Sequence, residues 1–364
     1  MMRSMRAQRL NTATHTFAVE EVPLPRPGAG EVLVSVAYCG ICHSDLSLID
    51  GVLSSPLPVI TQGHEASGIV AEIGEGVRGW APGDRVVLPA GRPCRTCRSC
   101  LQEQGDCASP DVMAFQFDGA WAEYAVVHAG GLSRVPEAVP LDQAAILADA
   151  VATPYGAVVY TGDVRVGESV AVWGIGGVGT HLVQIARLVG AAPIIALDVD
   201  PRVRARALEV GADHALDPRD PSTPARLDEL TRGAGVDVAF DSVGITATMT
   251  QALASIRNDG RLVLIGLSAD PVPLGTSATF AVTRKRVLGH LGYRSSDIPA
   301  LLRLVETGRL DLRGSISDVV ALDDIAAAID RLRSDDERPV RILVAPGDRG
   351  DGATGRRAHR RRDG

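Results

Sequence analysis

Apolar and polar positions alternate in two different ways along the chain, and the change falls near residue 155. In the first part, apolar residues recur at every second position in short runs, as in EVLVSVAYCG with valines at 32, 34 and 36. Glycine and proline often interrupt these runs, as in LPRPGAGE and IGEGVRGWAPGDRVV. Runs of period two broken by turn residues are typical of short antiparallel strands. The first part is therefore predicted to be an irregular β domain.

Beyond this point, apolar runs of strand length alternate with segments of helical period. The predicted strands are SVAVWG, PIIALDVD, VDVAFDSVG and GRLVLIGL. The predicted helices between them are GTHLVQIARLVGA, RVRARALEVGA and TATMTQALASIR. This alternation builds a parallel sheet with helices on both faces. Two more helices, in DIPALLRLVETGRLD and LDDIAAAIDRLRSDD, and a strand in RPVRILVAP are predicted to close the fold.

Composition and charge limit the classes of protein to which the chain can belong. The chain has 364 residues, 45% of them hydrophobic and 22% charged, which suits two globular domains. A formal charge of -7 argues against nucleic acid as a partner, because phosphate binding needs a basic face. No apolar run reaches the ~18 residues of a membrane helix. No apolar stretch follows the basic residues near the start, so a cytoplasmic protein without a membrane partner is expected.

A glycine-rich segment, GIGGVG, stands between a predicted strand and a predicted helix. It carries the pattern Gly174-x-Gly176-x-x-Gly179, with Gly177 and Val178 inside it. Such glycines permit a tight turn and let the backbone approach a pyrophosphate, which the free N–H groups of the helix start can bind. The segment therefore predicts a dinucleotide site.

An acidic residue at the end of the next predicted strand favours NAD over NADP. Asp198 lies about 20 residues after the glycines, where an acid binds the 2′-hydroxyl of the ribose and repels a 2′-phosphate. Arg202 and Arg204 follow closely and leave NADP as the second possibility. Arg202 is counted with Asp198 among the candidate cofactor-binding residues.

Four of the six cysteines fall within one short segment, CRTCRSCLQEQGDC. In a reducing compartment, clustered thiols are typical of metal ligands rather than disulfides. Four thiolates form a closed tetrahedral site, the structural type for zinc, although an iron–sulfur cluster also uses four cysteines. Zinc is favoured because a neighbouring hydride-transfer domain needs no electron relay. The predicted ligands are Cys94, Cys97, Cys100 and Cys107.

A second metal site is indicated by a cysteine and a histidine that follow different predicted strands. Cys42 lies in GICHSDLSLIDG, and His64 lies in TQGHEASGIV with Glu65 beside it. Catalytic zinc sites use three protein ligands and keep one position open. A third ligand is therefore expected from elsewhere in the chain.

In this order, the motifs resemble the zinc-dependent alcohol dehydrogenases of the medium-chain dehydrogenase/reductase superfamily. The matching pieces are GICHSD, GHEASGIVAEIGEGV, GDRV, the four-cysteine segment, GIGGVG and FDSVG. The resemblance implies an α/β plus β fold, in which a Rossmann domain with a doubly wound parallel sheet splits a GroES-like catalytic domain in sequence. The implied segments are 1–155 (catalytic, with a zinc lobe at 91–110), 156–295 (Rossmann), 296–345 (returning to the catalytic domain) and 346–364 (a disordered basic tail).

By the same resemblance, the catalytic zinc is held by Cys42, His64 and Asp149. The third ligand of the family is usually a cysteine four residues before a threonine, and LADAVATPYGAV has Asp149 four residues before Thr153. Carboxylate is a suitable zinc ligand, and some bacterial secondary-alcohol dehydrogenases of the family use aspartate there. Glu65 is either a ligand that replaces water or a buried structural acid.

The resemblance also assigns roles around the first zinc ligand. Ser44 is expected to take the proton of the alcohol and pass it to the cofactor ribose. Asp45 is expected to orient His64, and His43 to meet the cofactor pyrophosphate. Ser47 stands where relatives often carry the histidine that ends the proton relay.

Thr153 and Arg294, the latter in HLGYRSSD, are further candidate cofactor-binding residues. The expected enzyme moves a hydride reversibly between a primary or secondary alcohol and NAD, giving an aldehyde or ketone, with one catalytic and one structural zinc ion. Its partner is a small-molecule substrate, and the resemblance implies a homodimer or homotetramer. Two alternatives are an NAD(P)H-dependent reductase of activated alkenes on the same fold and a non-catalytic dinucleotide-binding protein.

Overall fold

A computed structural model of the chain describes residues 3–102, 107, 109–334 and 336–347. The predicted tail from residue 348 onward and residues 103–106 and 108 of the zinc lobe lie outside the described residues.

The first part of the chain forms short strands and short helices. Its elements are β1 Ser4–Asn11, β2 Thr16–Pro23, β3 Glu31–Gly40, α1 His43–Ile49, β4 Val59–Ile60, β5 Ala66–Ile73, β6 Arg85–Val87, β7 Gly91–Arg92, α2 Arg98–Gln102, β8 Asp111–Val112, β9 Tyr124–His128, β10 Ser133–Arg134, α3 Leu141–Ala145 and α4 Ala152–Gly156.

Strands and helices then alternate until the chain returns to the first sheet. The alternating elements are β11 Val170–Trp173, α5 Gly177–Val189, β12 Ile194–Leu197, α6 Pro201–Glu209, β13 His214–Leu216, α7 Thr223–Leu230, β14 Val236–Asp241, α8 Thr246–Ser255, β15 Ile256–Leu264, α9 Ser277–Thr283 and β16 Arg286–Gly289. The last elements are α10 Ile298–Glu306, β17 Ile316–Ala321, α11 Ile325–Arg333 and β18 Arg341–Ala345. Single 3-10 turns occupy 129–131, 146–148, 295–297, 313–315 and 322–324, and a π turn occupies 157–161.

The first sheet is built around β3 and receives strands from both ends of the chain. Its order is β10-β6-β5-β3-β18-β17, and β9 pairs with the first half of β3 while β18 pairs with the second half. The valines at alternate positions of β3 are buried, as the period-two pattern predicts. Because β18 pairs with Cys39 and Gly40, this strand lies directly beside the Cys42 segment.

The second sheet is parallel, with the order β13-β12-β11-β14-β15-β16. In β11, Val170 and Val172 face one hydrophobic cluster, while Ala171 and Trp173 face another on the opposite side. Burial on both faces explains why these strands read as continuous apolar runs. The α/β plus β fold class is confirmed.

Two strands of this sheet, β13 and β16, and two helices of the same domain, α7 and α9, were not predicted. The strands have three and four residues and are mostly half-buried or exposed. Edge strands of this length carry too few alternating positions to give a period.

No single helix in the described part of the chain is long and apolar enough to cross a membrane. The bent helix pair 141–148 and 152–161 passes that test only when the two helices are taken together.

Candidate active site

Three side chains from separate loops converge at the end of the first sheet. Cys42 caps the N-terminus of α1, His64 precedes β5, and Asp149 lies between the 146–148 turn and α4. The ligand atoms of the three residues all lie within 4.8 Å of one another. Thiolate, imidazole and carboxylate are the donor types of zinc sites, so the set fits a zinc ion with one position left for another ligand.

The charges of Cys42, His64 and Asp149 also favour the binding of a cation. His64 Nε2 lies 3.5 Å from Asp149 Oδ2. Burial lowers the pKa of His64, but the charge of Asp45 and hydrogen bonds to Asp149, Asp45 and Cys42 raise that pKa well above its usual range. Without an ion, a proton on His64 balances the acids. A divalent cation at the same place would balance them while leaving His64 neutral.

Asp45 connects the two segments that carry the first two ligands. Its carboxylate accepts hydrogen bonds from the backbone N–H of Cys42 at 3.0 Å and of Gly63 at 3.3 Å. Its Oδ1 also lies 3.4 Å from His64 Nδ1. Gly63 has a φ of +88°, and a Cβ there would collide with the ring of Trp121, so this turn requires glycine.

The hydroxyls near the first ligand face different groups. Ser44 Oγ lies 3.4 Å from His64 Nε2, which brings it to the metal ligand set. Ser47 Oγ donates a hydrogen bond to the carbonyl of His43 at 3.1 Å. Thr153 Oγ1 donates to Asp149 Oδ1 at 2.9 Å and fixes the direction of that carboxylate.

Glu65 makes other contacts and does not join the three converging ligand atoms. Its Oε1 accepts from the N–H of Ala150 at 2.8 Å, and its Oε2 lies 3.1 Å from Nε of Arg341. Burial raises the pKa of Glu65, whereas the charge of Arg341 and the hydrogen bond from the N–H of Ala150 favour the ionised carboxylate. This geometry favours the structural interpretation of Glu65 over ligation.

Arg341 is a site residue that the sequence analysis missed. It lies in β18, is only 3% exposed, and donates to the carbonyl of Ile41 at 2.9 Å. Its guanidinium lies 3.3 Å from the position that a Cβ would take at Gly177. The signal in the sequence was an arginine at the start of a strand that is otherwise apolar, RILVA.

The glycine loop connects β11 to α5 beside this arginine. Gly174 has a φ of +80°, and a Cβ at Gly179 would collide with the carbonyl of Gly174, so both positions require glycine. Val178 is half-buried in the first turn of α5. Burial lowers the pKa of His43, and the positive charges of Arg341 and Arg338 lower it further. Arg341 connects the start of α5 at Gly177 to Ile41, two residues before His43, and positive charge at a helix start is an arrangement that fits an anion.

Asp198 follows β12 and contacts the glycine loop. Its Oδ2 accepts from the N–H of Ile175 and its Oδ1 from that of Asp200, both at 2.9 Å. Arg202 pairs with Asp200, with Nη2 2.6 Å from Oδ2. Arg204 donates to the carbonyl of Asp198 at 2.8 Å.

Arg294 is directed toward a tyrosine in the structure. Its guanidinium lies 4.1 Å from the ring centre of Tyr160, a cation–π contact. Its contact with the cofactor stays a prediction.

The four clustered cysteines form a second converging set. All four ligand atoms lie within 4.8 Å of one another. The backbone N–H groups of Cys94 and Cys97 donate to Sγ of Cys107 and Cys94, each at 3.3 Å. Hydrogen bonds from Thr96 and from the N–H of Cys97 lower the pKa of the Cys94 thiol to about 6. Burial raises the pKa of Cys100 to about 12, so the pKa shifts of the four thiols differ. The convergence of four sulfur atoms is what fits a closed tetrahedral metal site.

Comparison with known proteins gives two family matches. The "Alcohol dehydrogenase GroES-like domain" matches residues 28–137, and the "Zinc-binding dehydrogenase" domain matches residues 177–307. A curated relative, the NDMA-dependent alcohol dehydrogenase of Amycolatopsis methanolica, is 34% identical over 354 residues, covering 89% of this chain and 94% of the relative.

Two solved structures illustrate the structural similarity. The alcohol dehydrogenase of Aeropyrum pernix is 31% identical with a TM-score of 0.85, and the match covers 94% of this chain and 100% of the other. A structure from Sinorhizobium meliloti 1021, described as a zinc-binding dehydrogenase bound to NADP, is 28% identical with a TM-score of 0.85 and the same coverage.

Proposed function

Since the chain belongs to the zinc-dependent alcohol dehydrogenases of the medium-chain dehydrogenase/reductase superfamily and is an alcohol oxidoreductase, we propose that it transfers a hydride between a small alcohol and NAD. One observation carries this proposal. The converging Cys42, His64 and Asp149 lie beside β18, and Arg341 of the same strand reaches the glycine loop at Gly177. A metal-held alcohol and a nicotinamide ring can therefore meet in the space between the two domains.

In this proposal the catalytic zinc is held by Cys42, His64 and Asp149. When bound, zinc lowers the pKa of the alcohol and the nicotinamide accepts the hydride. Asp45 keeps the Cys42 and His64 segments in fixed relative positions through its hydrogen bonds to both loops. Thr153 orients Asp149, and the Arg341 guanidinium balances the buried charges of Glu65 and Asp149. These supports keep the ligands in a fixed geometry before the substrate arrives.

Ser44 is the residue that relays the alcohol proton in this mechanism, because its hydroxyl lies at the ligand set, 3.4 Å from His64 Nε2. Its oxygen accepts that proton while its own hydrogen passes to the next acceptor, a water molecule or another hydroxyl. Its neighbour Ser47 donates its hydrogen to the carbonyl of His43 and must release that bond before it can pass a proton on.

We expect Ser44→Ala to lower kcat by about 100-fold, since a positioned proton acceptor contributes at least that factor. Zinc content should stay unchanged, because Ser44 is not one of the ligands. Steady-state kinetics and metal analysis measure both. Ser47→Ala tests whether Ser47 lies on the path by which the proton leaves the site. If water carries the proton instead, Ser47→Ala should lower kcat much less than Ser44→Ala does. Unchanged turnover in Ser44→Ala would remove Ser44 from the mechanism.

NAD is proposed as the cofactor because of the charges at the ribose end of the site. The Asp198 carboxylate accepts one N–H on each oxygen and keeps lone pairs for ribose hydroxyls. Arg202 is engaged with Asp200, and Arg204 lies 3.3 Å from Asp217 Oδ2. Both guanidiniums are thus paired with acids, whereas Asp198 would face a 2′-phosphate directly.

Asp198→Asn is expected to lower the ratio of kcat/KM for NAD to that for NADP by roughly 100-fold. The change removes a charge-assisted hydrogen bond to the ribose and the repulsion of a 2′-phosphate. Kinetics with both cofactors at one alcohol concentration measure the ratio. The matched control is Asp228→Asn on the exposed face of α7, which should leave the ratio within twofold. A ratio unchanged in Asp198→Asn would contradict the assignment of NAD to this position.

We also propose that the four-cysteine lobe holds a second, structural zinc ion. The four thiols are free in the structure and converge in one segment, in which the helix 98–102 has no buried side chain. A closed site of four thiolates would hold such a segment in place without taking part in the reaction. Retention of free thiols also supports the proposal of a cytoplasmic location.

A homo-oligomer is proposed from the open edge of the second sheet. β16 is the last strand at this edge. Val282 and Leu291 on either side of it are 72% and 78% exposed. An open strand edge with exposed apolar neighbours is a surface that favours pairing with a second copy of the chain. Sedimentation equilibrium measures the resulting mass.

The direct test of the proposed function is a screen of NAD reduction over primary, secondary, cyclic and polyol alcohols. We expect NAD-linked oxidation that a zinc chelator abolishes and added zinc restores. Chelator-insensitive reduction of activated alkenes would support the alternative reductase. The absence of any NAD(P)-linked activity on alcohols and carbonyl compounds would contradict the proposal.

A further inference from the structure

Tyr293 reaches from the dinucleotide-binding domain into the catalytic domain. It follows β16, and its hydroxyl oxygen accepts a hydrogen bond from the backbone N–H of Ala90 at 3.1 Å. Ala90 precedes β7 at the base of the four-cysteine lobe. The side chain therefore crosses the boundary between the two domains, where the proposed reaction takes place.

The segment that carries Tyr293 also contacts the segment of the third metal ligand. His290 Nε2 lies 3.0 Å from the carbonyl of Thr153, and the hydroxyl of Thr153 is bonded to Asp149. A Cβ on Gly156 would lie 3.5 Å from the carbonyl of Gly292. These contacts hold residues 290–293 against α4, on the side of the ligand set.

The electrostatic surroundings of the hydroxyl agree with this position. Burial raises the pKa of Tyr293, the N–H of Ala90 lowers it, and the negative charge of Asp149 raises it further. The charges of His64 and Glu65 also act on the same hydroxyl. The phenol therefore stays protonated at neutral pH. The hydrogen bonds of His290 and Tyr293 place this segment on the side of the ligand set.

The hydrogen of this hydroxyl is available to a ligand. A tyrosine hydroxyl offers one donor and accepts through its lone pairs, and Ala90 uses only a lone pair. Within the described ranges, no other residue accepts a hydrogen bond from Tyr293 Oη. Tyr293 is half-buried, so a ligand that enters the space between the domains can reach its hydroxyl and accept this hydrogen.

Phe115 is an aromatic neighbour of the ligand set. Its ring centre lies 5.8 Å from that of His64, and it is packed against the core of the catalytic domain. An aromatic ring cannot accept or donate an ordinary hydrogen bond to a second oxygen of the substrate, whereas the hydroxyl of Tyr293 can donate one. A substrate with a second oxygen can satisfy that donor, whereas a simple alcohol cannot.

We propose that Tyr293 is a specificity-determining residue that donates a hydrogen bond to a second oxygen of the substrate, which makes the enzyme selective for diols and hydroxyketones over simple alcohols and ketones. This inference rests on the proposed function, because it concerns the substrate of the same site. The hydrogen bond joins Tyr293 Oη to the non-reacting oxygen and involves no transfer of the phenol proton.

The test compares Tyr293→Phe with the unsubstituted enzyme on substrates that differ by one oxygen. We expect kcat/KM for 2,3-butanediol, taken for each stereoisomer, to fall about tenfold, the value of one such hydrogen bond. The value for 2-butanol should stay within twofold, because this alcohol has no second oxygen. The control Tyr124→Phe in β9 removes a hydroxyl elsewhere and should change neither value.

A binding measurement complements the kinetics. Methoxyacetone, which has a second oxygen but no alcohol, and 2-butanone are titrated into the enzyme saturated with NAD, which can neither reduce nor oxidise them, and calorimetry gives each affinity. Tyr293→Phe should weaken methoxyacetone binding about tenfold and leave 2-butanone unchanged. Equal losses for both ketones, or a change in NAD affinity alone, would show that Tyr293 supports the fold or the cofactor and would overturn the inference.

These outcomes separate the inference from the proposed function. Oxidation of both alcohols by the unsubstituted enzyme, with an equal effect of Tyr293→Phe on the two, would contradict only the role of Tyr293. Oxidation of neither alcohol, together with a failed screen of other alcohols, would contradict the proposed function and the inference with it. A thermal melt of each variant excludes loss of folding as the cause.

Discussion

Asp149→Asn is expected to lower kcat/KM for alcohol oxidation by at least about 1000-fold, because the loss of a charged metal ligand removes several kcal/mol of charge stabilisation. The amide keeps the size of the side chain, and the hydroxyl of Thr153 can still donate to its oxygen. It cannot balance a divalent cation or the guanidinium of Arg341, whose Nη2 lies 3.9 Å away. Steady-state kinetics on the purified holoenzyme measure the effect.

The matched control is Asp142→Asn in the first turn of α3, seven residues earlier in the chain. This carboxylate accepts only the N–H of Gln143 and does not approach the ligand set, so kcat/KM should stay within twofold. Activity in Asp149→Asn within tenfold of the unsubstituted enzyme would show that the metal, if present, is held without Asp149.

Arg341→Met is expected to reduce the free energy of unfolding by about 3–5 kcal/mol, the typical cost of leaving one partner of a buried ion pair alone. The side chain of Glu65 is fully buried, and its Oε2 is 3.1 Å from Arg341 Nε. Methionine fills much of the volume but leaves that carboxylate without a counter-charge. Urea unfolding of the holoenzyme at constant pH measures the difference.

Two further variants distinguish charge from packing. Adding Glu65→Gln to Arg341→Met removes the unpaired charge, so the double variant should recover part of the lost stability. Arg331→Met breaks only partly exposed ion pairs, such as the one with Glu337 at 2.7 Å, and should cost less than about 1 kcal/mol. An equal loss of unfolding free energy in Arg341→Met and Arg331→Met would show that the buried ion pair stabilises the fold no more than an exposed one.

The sequence predicted the regular part of the fold because that part carries strong periods. The runs that became β11, β12, β14 and β15 are buried on both faces and read as continuous apolar segments. The edge strand β16 was missed because its four residues alternate weakly and its stability comes from pairing with β15. Sequence periodicity reflects which side chains are buried. Elements stabilised mainly by strand pairing therefore show no clear periodic pattern of apolar residues.

The candidate active site was also predicted only in part from the sequence. Cys42 and His64 were predicted from residue chemistry and spacing, and Asp149 only from a family resemblance, since an aspartate before a helix is common. Arg341 was missed because its role depends on contacts with Ile41 and Glu65 across about 300 and 276 positions of sequence, which no local pattern records.

Other site features depended on side-chain direction. Glu65 stands beside a ligand in sequence, yet its carboxylate is directed to Ala150 and Arg341. Tyr293 is separated from Ala90 by 203 positions, and only the approach of the two domains brings its hydroxyl to the ligand set. Residue types determine which chemistry is present, whereas packing decides which groups meet.

The most direct test of the account is the number of zinc ions per chain in the holoenzyme and in Asp149→Asn, measured by elemental analysis of the preparations used for kinetics. We predict about two zinc ions in the holoenzyme, one for each converging set, and about one in Asp149→Asn. The ion that Asp149→Asn loses should be the catalytic one, so that alcohol oxidation is lost with it. An Asp149→Asn protein that keeps two zinc ions and full activity, or a fully active holoenzyme that contains only one, would contradict the account.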